Sequence, residues 1–338
     1  MAKDRIVSPS QQADELGRAE LPMQQSLRPE RLGDFIGQPR LCDRLTIALD
    51  AARQREESME HLLLHGPPGL GKTTLAHIVA QEMGTHAYVT SGPALTKGSD
   101  LVGTLTRMQP GDILFIDEIH RLPAAVEEYI YPAMEDFKID FTLDSGMHAK
   151  VVTYQLKPFT LIGATTRAGL LSGAFRSRFG LSHRLDYYQT DALEQILQRA
   201  MQRMGIETIT PDAKVRIAER SRGTPRICLR LLRRVRDFAE VRNSGHIDTE
   251  AVTAALALEG VDEIGLDALD RTYLQTVHNV YGGGPVGLEA IAATMGEDAG
   301  TIEDLVEPYL LQIGHLARTK QGRQLTEIAR AWLQSRGE

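Results

Sequence analysis

The chain has 338 residues, more than a single hydrophobic core usually spans, so two or three domains are expected. Hydrophobic residues make up 42% and charged residues 25%, ordinary for a soluble globular protein, and no apolar run approaches the roughly 18 residues of a membrane span. A net charge of -7 excludes a protein that is basic throughout and leaves contact with nucleic acid only to local basic patches.

Residues 1–25 are polar, contain Pro9 and Pro22, and have no sustained period or apolar segment of the signal-peptide kind. They read as a disordered arm on a cytoplasmic protein. Cys42 and Cys228 stand far apart with no metal-type spacing, so each is read as a small core residue. From Leu27 to about Leu185, short apolar runs at 62–65, 87–90, 113–117 and 159–164 alternate with helical patterns. That alternation predicts a parallel sheet wrapped by helices, an α/β domain. The stretch from Asp191 to Glu259 reads as helical throughout, broken at Thr210-Pro211 and Ser244-Gly245. From Asp262 three more helical stretches lead to a β-hairpin over 316–323, the outline of a winged helix-turn-helix.

The run from Gly66 to Thr74 fits GxxxxGK followed by Thr, and it lies between an apolar strand and an amphipathic helix. Gly69 and Gly71 let the backbone curl its N–H groups toward one anion, helped by the helix N-terminus. Lys72 then reaches the terminal phosphates of ATP, and the Thr73 hydroxyl takes a place on magnesium with Thr74 beside it. About forty residues on, the buried strand Ile113–Asp117 ends in Asp117 and Glu118. Asp117 is expected to hold the magnesium ion, and Glu118 to orient and deprotonate the attacking water. A third strand ends in Thr165 and Thr166, where a hydroxyl can address the γ-phosphate or the water.

These motifs, with YPAMEDF, IGATTRAG, FRSRFG and RGTPRI in this order, resemble the RuvB family of AAA+ motors from about Leu27 to Arg323. The resemblance implies an AAA+ P-loop ATPase domain at 26–185, a small helical lid at 186–261 and a winged helix at 262–338. It casts Thr166, with Thr165 as a substitute, as the sensor-1 polar residue, Arg178 as an arginine finger serving the neighbouring subunit, and Arg226 as sensor 2. Leu27, Arg28 and Tyr188 match positions lining ATP or ADP, and Glu135, Asp136 and Phe137 match backbone contacts to the nucleotide. It further implies a homo-oligomeric ring, a hexamer, acting on double-stranded DNA at Holliday junctions in recombination, repair and the SOS response. A RuvA-like junction-binding partner and a RuvC-like resolvase belong to the implied assembly.

In the last domain the helix 301–312 carries Glu303, Asp304 and Glu307, which phosphate would repel, so DNA contact is expected to pass to the wing through Arg318 and Arg323. Residues 137–154 alternate about a turn near 144–146 and predict a protruding hairpin, which in the family contacts RuvA. Its tip, Asp144-Ser-Gly146-Met147-His148-Ala149-Lys150, departs from the family pattern. The alternative weighed against a motor is a nucleotide-gated regulatory switch with a winged-helix output, which Glu118 and Arg178 argue against.

Overall fold

The computed structural model describes residues 27–142 and 151–336, so the expected arm at 1–25 and the hairpin tip at 144–150 lie outside the described residues. The chain divides into two compact units, one ending at Asp186 and one beginning at Tyr187.

In the first unit, α1 (Pro39–Arg55) buries Leu41, Leu45, Leu49 and Ala52, the spacing that puts side chains on one helical face. Then follow β1 (Leu62–His65), α2 (Lys72–Met83), β2 (Ala87–Ser91), α3 (Gly98–Leu105), β3 (Ile113–Asp117) and α4 (Ala124–Glu135). The antiparallel pair β4 (Lys138–Thr142) and β5 (Val151–Gln155) stands apart as its own two-stranded ribbon. The unit closes with β6 (Thr160–Thr165), the one-turn α5 (Gly173–Arg176) and β7 (Leu181–Arg184).

Five strands form one parallel sheet in the order β2-β3-β6-β1-β7. Its inner strands β1 and β3 are nearly continuous runs of Leu, Ile and Phe, and all six residues of β6 are buried, because crossover helices cover both faces. On one face Val126, Ile130, Ala133 and Met134 of α4 share a core with Leu114 and Ile116 of β3 and Leu161 of β6. The chain order jumps at β1, which lies between β6 and β7, so the carboxyl ends of the inner strands open onto a crevice. Parallel α/β sheets bind their ligands at such a place.

The second unit begins with four helices, α6 (Thr190–Met204), α7 (Pro211–Glu219), α8 (Pro225–Arg242) and α9 (Thr249–Leu258). The Thr210 side chain accepts from Ala213 N at 3.3 Å and the Asp248 side chain from Ala251 N at 2.8 Å, capping α7 and α9 where the sequence breaks. Next come α10 (Ala268–Asn279), α11 (Leu288–Met295) and a long helical stretch, α12 (Ala299–Thr301) running through a π segment, Ile302–Val306, into α13 (Glu307–Gln312). Pro308 lacks the N–H that would bond the carbonyl of Asp304, which loosens the helix at that turn. The hairpin β8 (Leu316–Thr319) and β9 (Gly322–Leu325) and the helix α14 (Glu327–Ser335) complete a winged helix whose core includes Tyr273, Leu274, Ile291, Leu310 and Leu333.

Arg222 joins the helical part of this unit to the winged helix. Its Nε donates to Gly265 O at 2.8 Å, and one Nη donates to Asp267 at 2.9 Å and to Asp270 at 2.6 Å. The guanidinium also lies over the Tyr309 ring, 5.1 Å from its centroid.

Candidate functional site

The phosphate loop leaves β1 at His65 and enters α2 at Lys72. Gly66, Gly69 and Gly71 all have positive φ, at 135°, 79° and 103°, which a side chain would resist. A Cβ on Gly66 would also lie 2.4 Å from the carbonyl oxygen of Leu185, so backbone packs where a side chain would stand. Thr73 and Thr74 follow in the first turn of α2, whose leading N–H groups have no carbonyl within the helix and face outward as an anion site. The Lys72 ammonium is buried and donates to the carbonyls of Gly66 at 2.7 Å and Pro67 at 2.8 Å. The loop is thus wrapped around its own cation.

Register brings the other candidates to the same edge. His65 lies beside Thr165, and Ile116 beside Gly163, so Asp117 and Glu118 stand level with the last residues of β6. Asp117 accepts from the N–H of Glu118 at 2.9 Å. Glu118 holds a left-handed backbone, φ 50°, and its carbonyl oxygen would lie 2.4 Å from a Cβ on Gly92. Such strain persists only where the surroundings fix it, and it aims the half-exposed carboxylate.

Thr165 and Thr166 differ in placement. Thr165 is buried, contacts His120 Nδ1 at 2.8 Å through Oγ1, and accepts there from Arg167 N at 2.9 Å. Thr166 follows the strand and is half-buried. His120, which sequence reasoning did not single out, puts its Nε2 3.8 Å from Glu118 Oε2. Its partner threonine is 45 residues away, so no local signal marked it.

The oxygen donors Thr73 and Asp117 suit magnesium, a hard ion that shares its shell with nucleotide phosphates and water instead of sitting in an all-protein cage. Among the described residues no cluster of three His, Cys, Asp or Glu side chains is placed to hold a metal. Arg28 lies near enough to His77 on α2 to act electrostatically on it, and the imidazole is pushed down first by burial and then by that charge. The segment with Leu27 and Arg28 therefore runs alongside the phosphate-loop helix.

Arg178 forms a second cluster with Glu135. The Arg178 Nε is 3.2 Å from Glu135 Oε1, its Nη1 donates to Ala174 O at 2.6 Å, and the guanidinium lies 4.3 Å from the Tyr131 centroid. The Nε is buried without an aligned acceptor, so its contact with Glu135 is an ion pair and not a hydrogen bond. Glu135 ends α4, whose last turn is tied to the sheet by His61, donating to Met134 O at 3.0 Å while accepting from Leu161 N at 2.9 Å. Phe137 has φ 52°, and its carbonyl accepts from Leu156 N at 2.6 Å and the Gln155 side chain at 3.1 Å, while the Asp136 carbonyl accepts from Gln155 at 3.4 Å. These carbonyls are therefore engaged at the base of the β4–β5 ribbon.

In the second unit, Tyr188 is buried and its N–H donates to Gly223 O at 2.9 Å, which anchors it to the turn before α8. Arg226 is exposed in the first turn of α8.

The wing corrects one expectation. Glu307 does not face phosphate: it is fully buried, and both wing arginines close on it. Arg318 Nε donates to Glu307 Oε2 at 2.8 Å, Arg323 Nε to Oε1 at 2.9 Å, and the Tyr273 hydroxyl to Oε1 at 3.2 Å. Glu303 lies 3.7 Å from both guanidinium groups. Burial works against the Arg323 charge, yet the Glu307 carboxylate overrides it and holds the guanidinium above its ordinary value. Arg318 and Arg323 thus spend much of their charge inside the protein. Arg318 remains 42% exposed and Arg323 19%, so Arg318 is the better placed to meet a ligand.

Comparison with known proteins supplies independent findings. Residues 27–185 match the model of the Holliday junction DNA helicase RuvB P-loop domain, 188–262 the RuvB AAA lid domain and 263–334 the RuvB C-terminal winged helix domain. The chain is 56% identical over 304 residues to the Holliday junction branch migration complex subunit RuvB of Desulfosudis oleivorans, covering 90% of this chain and 88% of that one. It is 53% identical over 310 residues to the subunit of the same name from Chlorobium phaeobacteroides, covering 92% and 89%. The structure of the Thermotoga maritima RuvB Holliday junction branch migration motor superposes with a TM-score of 0.84 at 48% identity, covering 91% of this chain and 98% of that one.

Proposed function

The chain belongs to the RuvB family, and from that premise we propose that it is the ATP-driven motor subunit of a Holliday junction branch migration complex. Its work is to hydrolyse ATP and use the energy to move double-stranded DNA, so that a four-way junction migrates. The observation that carries this reading is the convergence of Lys72, Asp117, Glu118 and Thr165 at one edge of the sheet, behind a loop built to receive phosphate.

Phosphoryl transfer needs positioning and charge neutralisation more than covalent chemistry. The N–H groups at the start of α2 bind the phosphates. Lys72 exchanges its bonds to Gly66 and Pro67 for phosphate oxygens; Thr73 and Asp117 would hold magnesium, which would supply charge neutralisation to those oxygens. Glu118 takes the proton of the attacking water. Arg178, paired with Glu135 in the single chain, reaches the nucleotide of the neighbouring subunit in a ring, a hexamer, and makes hydrolysis depend on docking. Tyr188 and Arg226, with Leu27 and Arg28, serve the nucleotide from the lid and the leading segment. In the wing, Arg318 meets the DNA backbone and Arg323 holds the wing together, with no base reading required. The β4–β5 ribbon serves a RuvA-like partner, and a RuvC-like resolvase completes the assembly; the site of action is the cytoplasm.

The test is the ATPase rate with and without duplex DNA. Wild type is expected to turn over faster with DNA, and Glu118→Gln or Arg178→Ala to cut turnover to a small residual rate while nucleotide binding persists. Turnover indifferent to DNA, or retained in Glu118→Gln, would overturn the reading.

A further inference from the structure

We propose that His120 is a positioning residue for Glu118, the middle member of a relay that runs from Thr165 through its imidazole to the carboxylate. This rests on the reading of Glu118 as the group that activates water.

The direction of the relay follows from the arrangement of donors that suits both the hydroxyl and the carboxylate. Thr165 Oγ1 already accepts from the N–H of Arg167 at 2.9 Å, and its own proton is available for His120 Nδ1 at 2.8 Å. With Nδ1 as acceptor, the neutral ring carries its proton on Nε2, the atom 3.8 Å from Glu118 Oε2. The opposite tautomer would set a bare nitrogen lone pair against a carboxylate. The hydroxyl thus selects the tautomer whose N–H faces Glu118, the task a second partner performs for many functional histidines.

The first two members of the relay are fixed. Thr165 is buried in the last position of β6, and the His120 side chain is 6% exposed. Glu118 and His120 belong to the same tight turn, which closes with Arg121 N donating to Glu118 O at 2.8 Å, and Gly92 packs against that same carbonyl. The backbone of Glu118 is therefore pinned, leaving its side chain as the free variable. The 3.8 Å separation is longer than a hydrogen bond, and catalytic bonds commonly shorten once substrate closes the site. Arg121 Nη1 is also 3.8 Å from the same carboxylate oxygen, but its side chain is 59% exposed and its hold correspondingly weak. His120 is the buried member of the pair, and it sets where the carboxylate points.

The experiment compares His120→Ala, His120→Asn and His120→Gln in the full-length protein, measuring kcat and KM for ATP with duplex DNA present, and ADP affinity as a check on folding. Gln places an N–H where Nε2 lies, whereas Asn keeps only the group facing Thr165. Ala and Asn are expected to lower kcat about 10–100-fold, the scale of a misplaced catalytic group, with KM and ADP affinity unchanged. Gln is expected to recover at least tenfold over Asn. In a Glu118→Gln background, His120→Ala is expected to change the residual rate by less than twofold, because it acts through Glu118. Unchanged kcat in His120→Ala, a defect in KM or ADP affinity alone, or equal losses for Asn and Gln would overturn the proposal while leaving Glu118 in its role. Retained turnover in Glu118→Gln would instead overturn the reading beneath it.

Discussion

Replacing Arg323 by Ala removes one of the two guanidinium groups that neutralise Glu307, a side chain with no exposure to water. Breaking a buried ion pair from one side costs about 3–5 kcal/mol, because the remaining charge is left without compensation. Arg318 stays on the other oxygen and the Tyr273 hydroxyl still donates, so the lower end, about 3 kcal/mol, is expected. For a unit running from Tyr187 to Glu338, that corresponds to a melting shift of roughly 6–12 °C. The only tryptophan of the chain, Trp332, lies in the last helix of this winged helix, so its fluorescence reports on the unit selectively during urea or thermal unfolding. Glu307→Gln in the Arg323→Ala background is expected to return at least half of the loss, since it removes the stranded charge. A loss below about 1 kcal/mol for Arg323→Ala, or strict additivity of the two changes, would refute the idea that the arginines neutralise a buried acid.

Asp270 gives a pH dependence. Burial pushes its carboxyl from 3.8 up to about 7 despite the Arg222 charge. The folded unit thus keeps a proton that the unfolded chain releases, and the stabilisation is full below pH 3.8 and lost as pH rises through about 7. Wild type is expected to lose roughly 1 kcal/mol more than Asp270→Asn between pH 6.5 and 8 by the same Trp332 readout, and equal slopes would contradict this. Asp267 is shifted down, burial opposing the shift and Arg222 driving it, so its contribution disappears only at acid pH, outside that window. Mixing Arg178→Ala with Glu118→Gln subunits is expected to restore ATPase activity at the interfaces where an intact site faces an intact arginine; mixtures as inactive as either parent would place Arg178 within its own subunit's site.

Much of the sheet edge that carries the candidate site was legible because its signals are local. The phosphate loop, the apolar strands and the acids after Ile113–Asp117 each announce themselves within ten residues. The edge strand Leu181–Arg184 did not, since Ser182, His183 and Arg184 dilute the apolar run that marks a buried strand. Contacts formed by folding were also hidden: His120 meets a threonine from another strand, and Arg178 meets Glu135 from the end of α4. Glu307 misled for a related reason. A glutamate on an amphipathic helix reads as a solvent-facing charge, and only the returning wing supplies the two arginines that let it be buried. The π segment before it was signalled by nothing more than Pro308.

The central claim is that ATP hydrolysis at this site moves a DNA junction. Its most direct test is migration of a synthetic four-way junction with homologous arms, followed by gel shift of the labelled products, with a RuvA-like partner supplied. Wild type with ATP is expected to resolve the junction into its migrated duplexes, whereas a non-hydrolysable ATP analogue, or Glu118→Gln with ATP, is expected to bind it and leave it in place. Migration driven by the analogue, or by Glu118→Gln, would contradict the account.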